Sequence, residues 1–126
     1  MPFEIEIDVG RSLVVVVVTG VVSDDDLVQG TEYLRGHPDF RPHFDQLVVG
    51  TAVERLDVTR EGVMKLTSGD PIFAGPSRRA LVAPSQLGFG MSRMFELLRD
   101  GRAGEINVFR SEQEALQWLG LGPLEA

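Results

Sequence analysis

Cysteine is absent from the 126 residues, which excludes disulfides, thiolate zinc sites and cysteine nucleophiles and agrees with a reducing cytoplasm. Histidine occurs only at His37 and His43, in one loop, so a Ser-His-Asp hydrolase lacks a placed base. Long apolar stretches are missing too. The longest run, Leu13 to Val18, falls far short of the roughly 18 residues a membrane span needs, and the N-terminal MPFEIEID is acidic and alternating, unlike a signal peptide. Positive charge is also scarce. Twelve basic residues stand against 19 acidic ones, a net charge of -7, which repels nucleic acid and anionic membranes. Arg78, Arg79, Arg93, Arg99 and Arg102 gather in the second half, but on an acidic protein such a group pairs with its own carboxylates.

What is present reads as one α/β domain over residues 1–126. Phe3, Ile5, Ile7 and Val9 alternate with Glu4, Glu6 and Asp8, the pattern of an edge strand with one wet face. After a tight turn at Gly10-Arg11, Leu13 to Val18 is β-branched and apolar on both faces, an interior strand. The two form a hairpin. Ser23 or Asp24 caps a helix that carries Leu27, Thr31 and Leu34 on one face, and Asp24 to Asp26 suit its positive N-terminal end. Gly36-His37-Pro38 ends that helix. Gln46 to Val49 forms the third strand, ending at Gly50-Thr51, and Thr59 caps a second helix that carries Val63 and Leu66, with Met64 as a further candidate for its apolar face, and stops near Ser68-Gly69-Asp70-Pro71.

The turn-rich stretch from Ser68 to Ser77 carries Ile72 and Phe73, an apolar tip expected to tuck into the domain. Arg79 to Ala83 is the fourth strand. Ser85 caps a third helix whose Leu87, Met91, Met94, Phe95 and Leu98 make the widest apolar stripe in the chain. Glu105 to Arg110 is the fifth strand, and Ser111 with Glu114 makes a capping box for a last helix bearing Ala115, Trp118 and Leu119.

The order is ββαβαβαβα, a five-stranded mixed sheet in which only the first strand is antiparallel. If each strand lies beside its predecessor, every helix falls on one face. The other face, apolar along Leu13 to Val18, then needs a cover, and a second copy of the chain supplies it as a homodimer.

This element order, together with VAPSQLGFGMSRMFELL and INVFRSEQEALQWL, resembles the STAS-domain superfamily, specifically the bacterial stand-alone proteins similar to the anti-sigma-factor antagonist. The resemblance covers nearly the whole chain. It implies helices mainly on one side of the sheet and action through protein contacts instead of catalysis. Such antagonists carry a phosphorylatable serine in an Asp-Ser-Ser-Gly-Leu-like motif where the second helix begins. The matching stretch here reads Leu56-Asp57-Val58-Thr59-Arg60-Glu61-Gly62, so the switch motif is missing and Thr59 is the nearest hydroxyl.

Ligands of parallel sheets sit beyond the carboxyl ends of the strands, where the sequence places Thr19, Thr51, Ser85 and Ser111. Thr51 and Thr59 are the candidate anion or phosphorylation positions. The competing reading is that the serines cap helices and the threonines end strands. Gly88-Phe89-Gly90 is no phosphate loop, since no lysine follows. Phe89 and Arg93, four residues apart and outside the apolar stripe, form with Ser85 a candidate interaction surface. His37, His43, Asp39 and Asp45 lack metal-ligand spacing, and Asp24 to Asp26 read as a helix start and not a magnesium site. No catalytic set, metal or cofactor is expected. The resulting expectation is a cytoplasmic, non-enzymatic regulatory or protein-interaction module. The alternative is a carrier or sensor of a small apolar or amphipathic ligand, held between the third helix, the Ile72-Phe73 loop and the sheet.

Overall fold

The computed structural model describes residues 3–68, 73, 77–83 and 105–123. Five strands form one mixed sheet in sequence order: β1 (Phe3–Asp8), β2 (Leu13–Ser23), β3 (Asp45–Asp57), β4 (Arg78–Val82) and β5 (Glu105–Phe109). β1 runs antiparallel to β2, with Phe3 opposite Val18 and Asp8 opposite Leu13, and the remaining pairings are parallel. The connecting turn spans Val9 to Ser12, closed by the Ser12 N–H donating to the Val9 carbonyl at 3.2 Å. Its left-handed residue is Ser12, with φ 53°, and not Gly10.

Two strands run further than the expected ends at Thr19 and Gly50-Thr51. β2 continues to Ser23 and β3 to Asp57, pairing with each other past the point where β1 and β4 stop, through register shifts between Val17 and Thr19 and between Gly20 and Val21. Gly20, at φ 69°, takes up the second irregularity in a conformation costly for other residues. Gly50 is needed for a different reason, because a side chain there would press on the Val82 carbonyl of the neighbouring strand. The strand end expected at Gly50-Thr51 is therefore a close crossing inside β3.

The sheet carries helices on both faces. Helix α1 (Asp24–Arg35) and helix α2 (Arg60–Ser68) touch each other. Leu34 of α1 joins Val14, Val16, Phe40, Phe44 and Phe73 in a buried cluster flanked by Phe3, Ile5 and Ile7. Phe73 is 5% exposed and stands edge-on to Phe40, ring centres 5.3 Å apart, so this part of the apolar tip is tucked in as expected. Ile72 lies outside the described residues.

Helix α3 (Glu112–Trp118) packs across the opposite face. There Ala115, Leu116 and Leu119 meet Leu13, Leu47, Ala80 and Val82, all buried. Each of the two leucines contributes about 1.5–3 kcal/mol by leaving water. The expectation that every helix shares one face thus fails for α3. Right-handed crossovers bind only helices lying between parallel strands, and α3 follows the last strand, so it is free to take the apolar face that α1 and α2 leave open. The terminal helix covers the Leu13, Leu47, Ala80 and Val82 part of the face for which a second copy was expected as cover, while Val17 on the same face stays 37% exposed.

The end of α3 is fixed by two devices. Gly120, at φ 75°, donates to the Gln117 carbonyl (3.0 Å) and Leu121 donates to the Leu116 carbonyl (2.9 Å), a Schellman closure. The next carbonyls are taken by Arg78: Nη1 donates to Trp118 at 2.9 Å and Nη2 to Leu119 at 3.0 Å. The same guanidinium lies 5.7 Å from the Trp118 ring centre and 3.7 Å from Asp45. One arginine therefore ties β3, β4 and the terminal helix together.

Candidate functional site

The helix starts are built from short polar side chains, and two of them meet. Ser23 caps α1: its hydroxyl accepts from the Asp26 N–H (3.3 Å), and the Asp26 carboxylate accepts from the Ser23 N–H (2.9 Å). This capping box occupies Ser23 and Asp26 and leaves Asp24, at the first helical position, to point elsewhere. Asp24 reaches α2. Its carboxylate accepts from the Thr59 N–H at 2.9 Å and from the Thr59 hydroxyl at 2.6 Å.

Thr59 is at the same time the cap of α2. Its hydroxyl oxygen accepts from the Gly62 N–H (2.9 Å), and its carbonyl accepts from the Val63 N–H (3.1 Å). The first turn of α2 thus presents its positive end to the carboxylate of another helix. Gly62 makes the approach feasible, because a methyl group there would run into the Asp24 carboxylate. The Thr59 hydroxyl, and then its backbone N–H, hold the Asp24 carboxyl below its ordinary pKa, against a smaller opposing effect of burial. The charged form is the one that interlocks.

Thr59 is exposed, as are Arg60, Glu61, Met64 and Lys65 along the same helix. Val63 is buried as expected, whereas Met64 is 49% exposed and does not join the apolar face. Thr51 is also exposed but lies inside β3. The extended chain from Ala52 to Asp57 separates it from Thr59, on the order of 20 Å by strand rise, so the two hydroxyls do not share a site. Thr19 likewise sits within β2, and Ser111 caps α3 by accepting from the Glu114 N–H at 3.2 Å while donating to Glu114 Oε1 at 3.1 Å. Ser85, Phe89 and Arg93 lie outside the described residues.

The histidines serve local structure. His37 Nδ1 accepts from the Asp39 N–H at 3.1 Å, and the His43 ring stands edge-on to Phe44 at 5.1 Å. Among the described residues no three His, Cys, Asp or Glu side chains converge as metal ligands, and no helix is long and apolar enough to cross a membrane. A cleft of about 480 Å³ opens beside α3 between Gln113, Leu116, Gln117, Leu121 and Pro123. Among the described residues its lining holds no nucleophile or base beyond Glu112.

A parallel-ordered sheet with one antiparallel edge hairpin, α1 and α2 in contact and a terminal helix on the far side can be compared with known proteins. One solved structure, an uncharacterized protein of the DUF3478 family with a SpoIIAA-like fold from Shewanella loihica PV-4, is similar over 93% of this chain and 91% of its own, with a TM-score of 0.59 and 20% sequence identity. The chain has a SpoIIAA-like fold. No protein-family model matches the sequence, and no curated protein does. The likeness at that identity is one of fold, and it fits the STAS resemblance carried by the sequence.

The interlock between Asp24 and Thr59 is the feature that sequence reasoning missed. Thr59 was legible as a cap and Asp24 as a helix-start acid, but nothing local joins residues 35 positions apart. Gly62 was the available signal. A glycine in the first turn of a helix, where alanine is intrinsically better, marks a close approach by something else.

Proposed function

We propose that the protein is a cytoplasmic, non-enzymatic regulatory module of the STAS type that works by protein contact, with the start of α2 as its contact surface. The observation that carries this is the exposed Thr59 hydroxyl, held by Asp24 at 2.6 Å at the amino end of the second helix. The SpoIIAA-like resemblance implies a switch hydroxyl at that place, and here it is engaged by a neighbouring carboxylate. The carboxylate occupies the ground that an added phosphate would need, and the two would repel. The junction is thus closed by a built-in anion, and a partner that grips α2 meets α1 and α2 as one unit.

Exposed Met64, one turn along, supplies an adaptable apolar contact beside the charged Arg60, Glu61 and Lys65. The test is capture of a partner by the immobilised chain, compared across variants. Met64→Glu and Thr59→Val abolish specific capture, whereas a substitution on the far face, Gln117→Ala, leaves it intact. Equal capture by all three would remove α2 as the contact surface.

A further inference from the structure

We infer that β1 is a docking edge for an extended segment of another protein in which apolar residues alternate with lysine or arginine. β1 has one neighbour in the sheet, β2, so the backbone groups along its outer side have no strand partner among the described residues. Such an edge accepts an added strand through main-chain hydrogen bonds, with alternate side chains determining specificity. Both faces of β1 specify what those side chains are. On the α1 side Phe3, Ile5 and Ile7 flank the Val14, Val16, Leu34 and Phe40 cluster and are only half-buried, because the core ends there at the open edge. An added strand with apolar residues on that side extends the core.

On the other side Glu4 and Glu6 are exposed, and among the described residues neither has an ion-pair partner. They differ in this from Asp8, which pairs with Arg11 at 3.6 Å. Register places Glu4 opposite Val17 and Glu6 opposite Val15, with Val17 37% exposed, so two carboxylates about 6.6 Å apart by strand rise border an apolar strip. Basic residues two apart on an added strand fall directly across from them, at the spacing where opposite charges attract and like charges repel.

The same charges rule out the simplest occupant, a second copy. Antiparallel pairing of two β1 strands puts Glu4 and Glu6 of both chains on one face within cross-strand range, between molecules each carrying a net charge of -7. Repulsion of its own kind and attraction of a basic strand come from one pair of residues.

The inference rests on the interaction-module reading only in supposing that a partner exists, and its test is separate. The probe is a short capped peptide alternating lysine and valine, titrated into the isotopically labelled full chain at low salt. Expected are amide shifts confined to Phe3–Asp8 and the facing Leu13–Val18, a dissociation constant at least tenfold weaker for Glu4→Gln/Glu6→Gln, and weaker binding at about 1 M salt, where charge acts over only ~3 Å. The inference is overturned if β1 does not shift, or if a peptide with its lysines and valines in separate blocks binds equally well. It is also overturned if sedimentation shows that the parent chain dimerises and the amides that shift with its concentration are those of Phe3–Asp8. Partner capture that depends on Met64 but not on Glu4 and Glu6 would discard this edge and leave the α2 surface standing.

Discussion

Removing the Arg78 guanidinium tests the placement of the terminal helix. Arg78→Ala loses two charged hydrogen bonds, at 2.9 and 3.0 Å, to the last carbonyls of α3, and with them the contact over Trp118. A hydrogen bond from a charged donor contributes about 1.5–3 kcal/mol. The side chain is 36% exposed, so water replaces part of that bonding, and the net cost is about 2 kcal/mol. For a chain of this length the unfolding midpoint falls by roughly 8 °C. Trp118 is the only tryptophan, so its fluorescence reports α3 directly while far-UV circular dichroism reports the whole fold. In Arg78→Ala the native-state emission shifts to the red, and Arg78→Lys, which reaches one carbonyl only, recovers about half of the loss. A variant within about 0.5 kcal/mol of the parent, with unchanged emission, would refute the view that this arginine holds the helix down.

Other outcomes follow from the interlock and the core. Asp24 titrates below the usual carboxylate range in an NMR pH titration, and Thr59→Val returns it toward the ordinary value. Because its folded pKa is lowered, its contribution to stability is complete above the unfolded value and is lost as pH falls through the folded one. Gly62→Ala, which in an open helix stabilises by about 1 kcal/mol, instead lowers the melting temperature, and in an Asp24→Ala background the same substitution raises it. A rise in both backgrounds would remove the contact between Gly62 and Asp24. Phe73→Ala costs about 3 kcal/mol in denaturant unfolding, since the ring is 5% exposed against Phe40.

Much of this architecture was legible because local chemistry and global fold agree. Alternation in Phe3 to Asp8, the valine run after Leu13, and the hydroxyl caps at Ser23, Thr59 and Ser111 each speak within a few residues, and each element appears where its pattern lies. The misreadings have a common cause. Thr19 and Gly50-Thr51 read as strand ends, but both strands continue, through a bulge at Gly20 and a close strand approach at Gly50, which depend on what lies beside them in space. The face chosen by α3 depends on the surface that α1 and α2 leave open. The pair Asp24 and Thr59 depends on two helix starts converging across the fold, and apart from Gly62 no residue announces it.

The claim that the start of α2 is a contact surface is tested most directly by partner capture with the full chain and its Met64→Glu and Thr59→Val variants, using folded protein verified by Trp118 emission. A specific partner retained by the parent and lost by both variants is the predicted result. A partner retained equally by all three would contradict it.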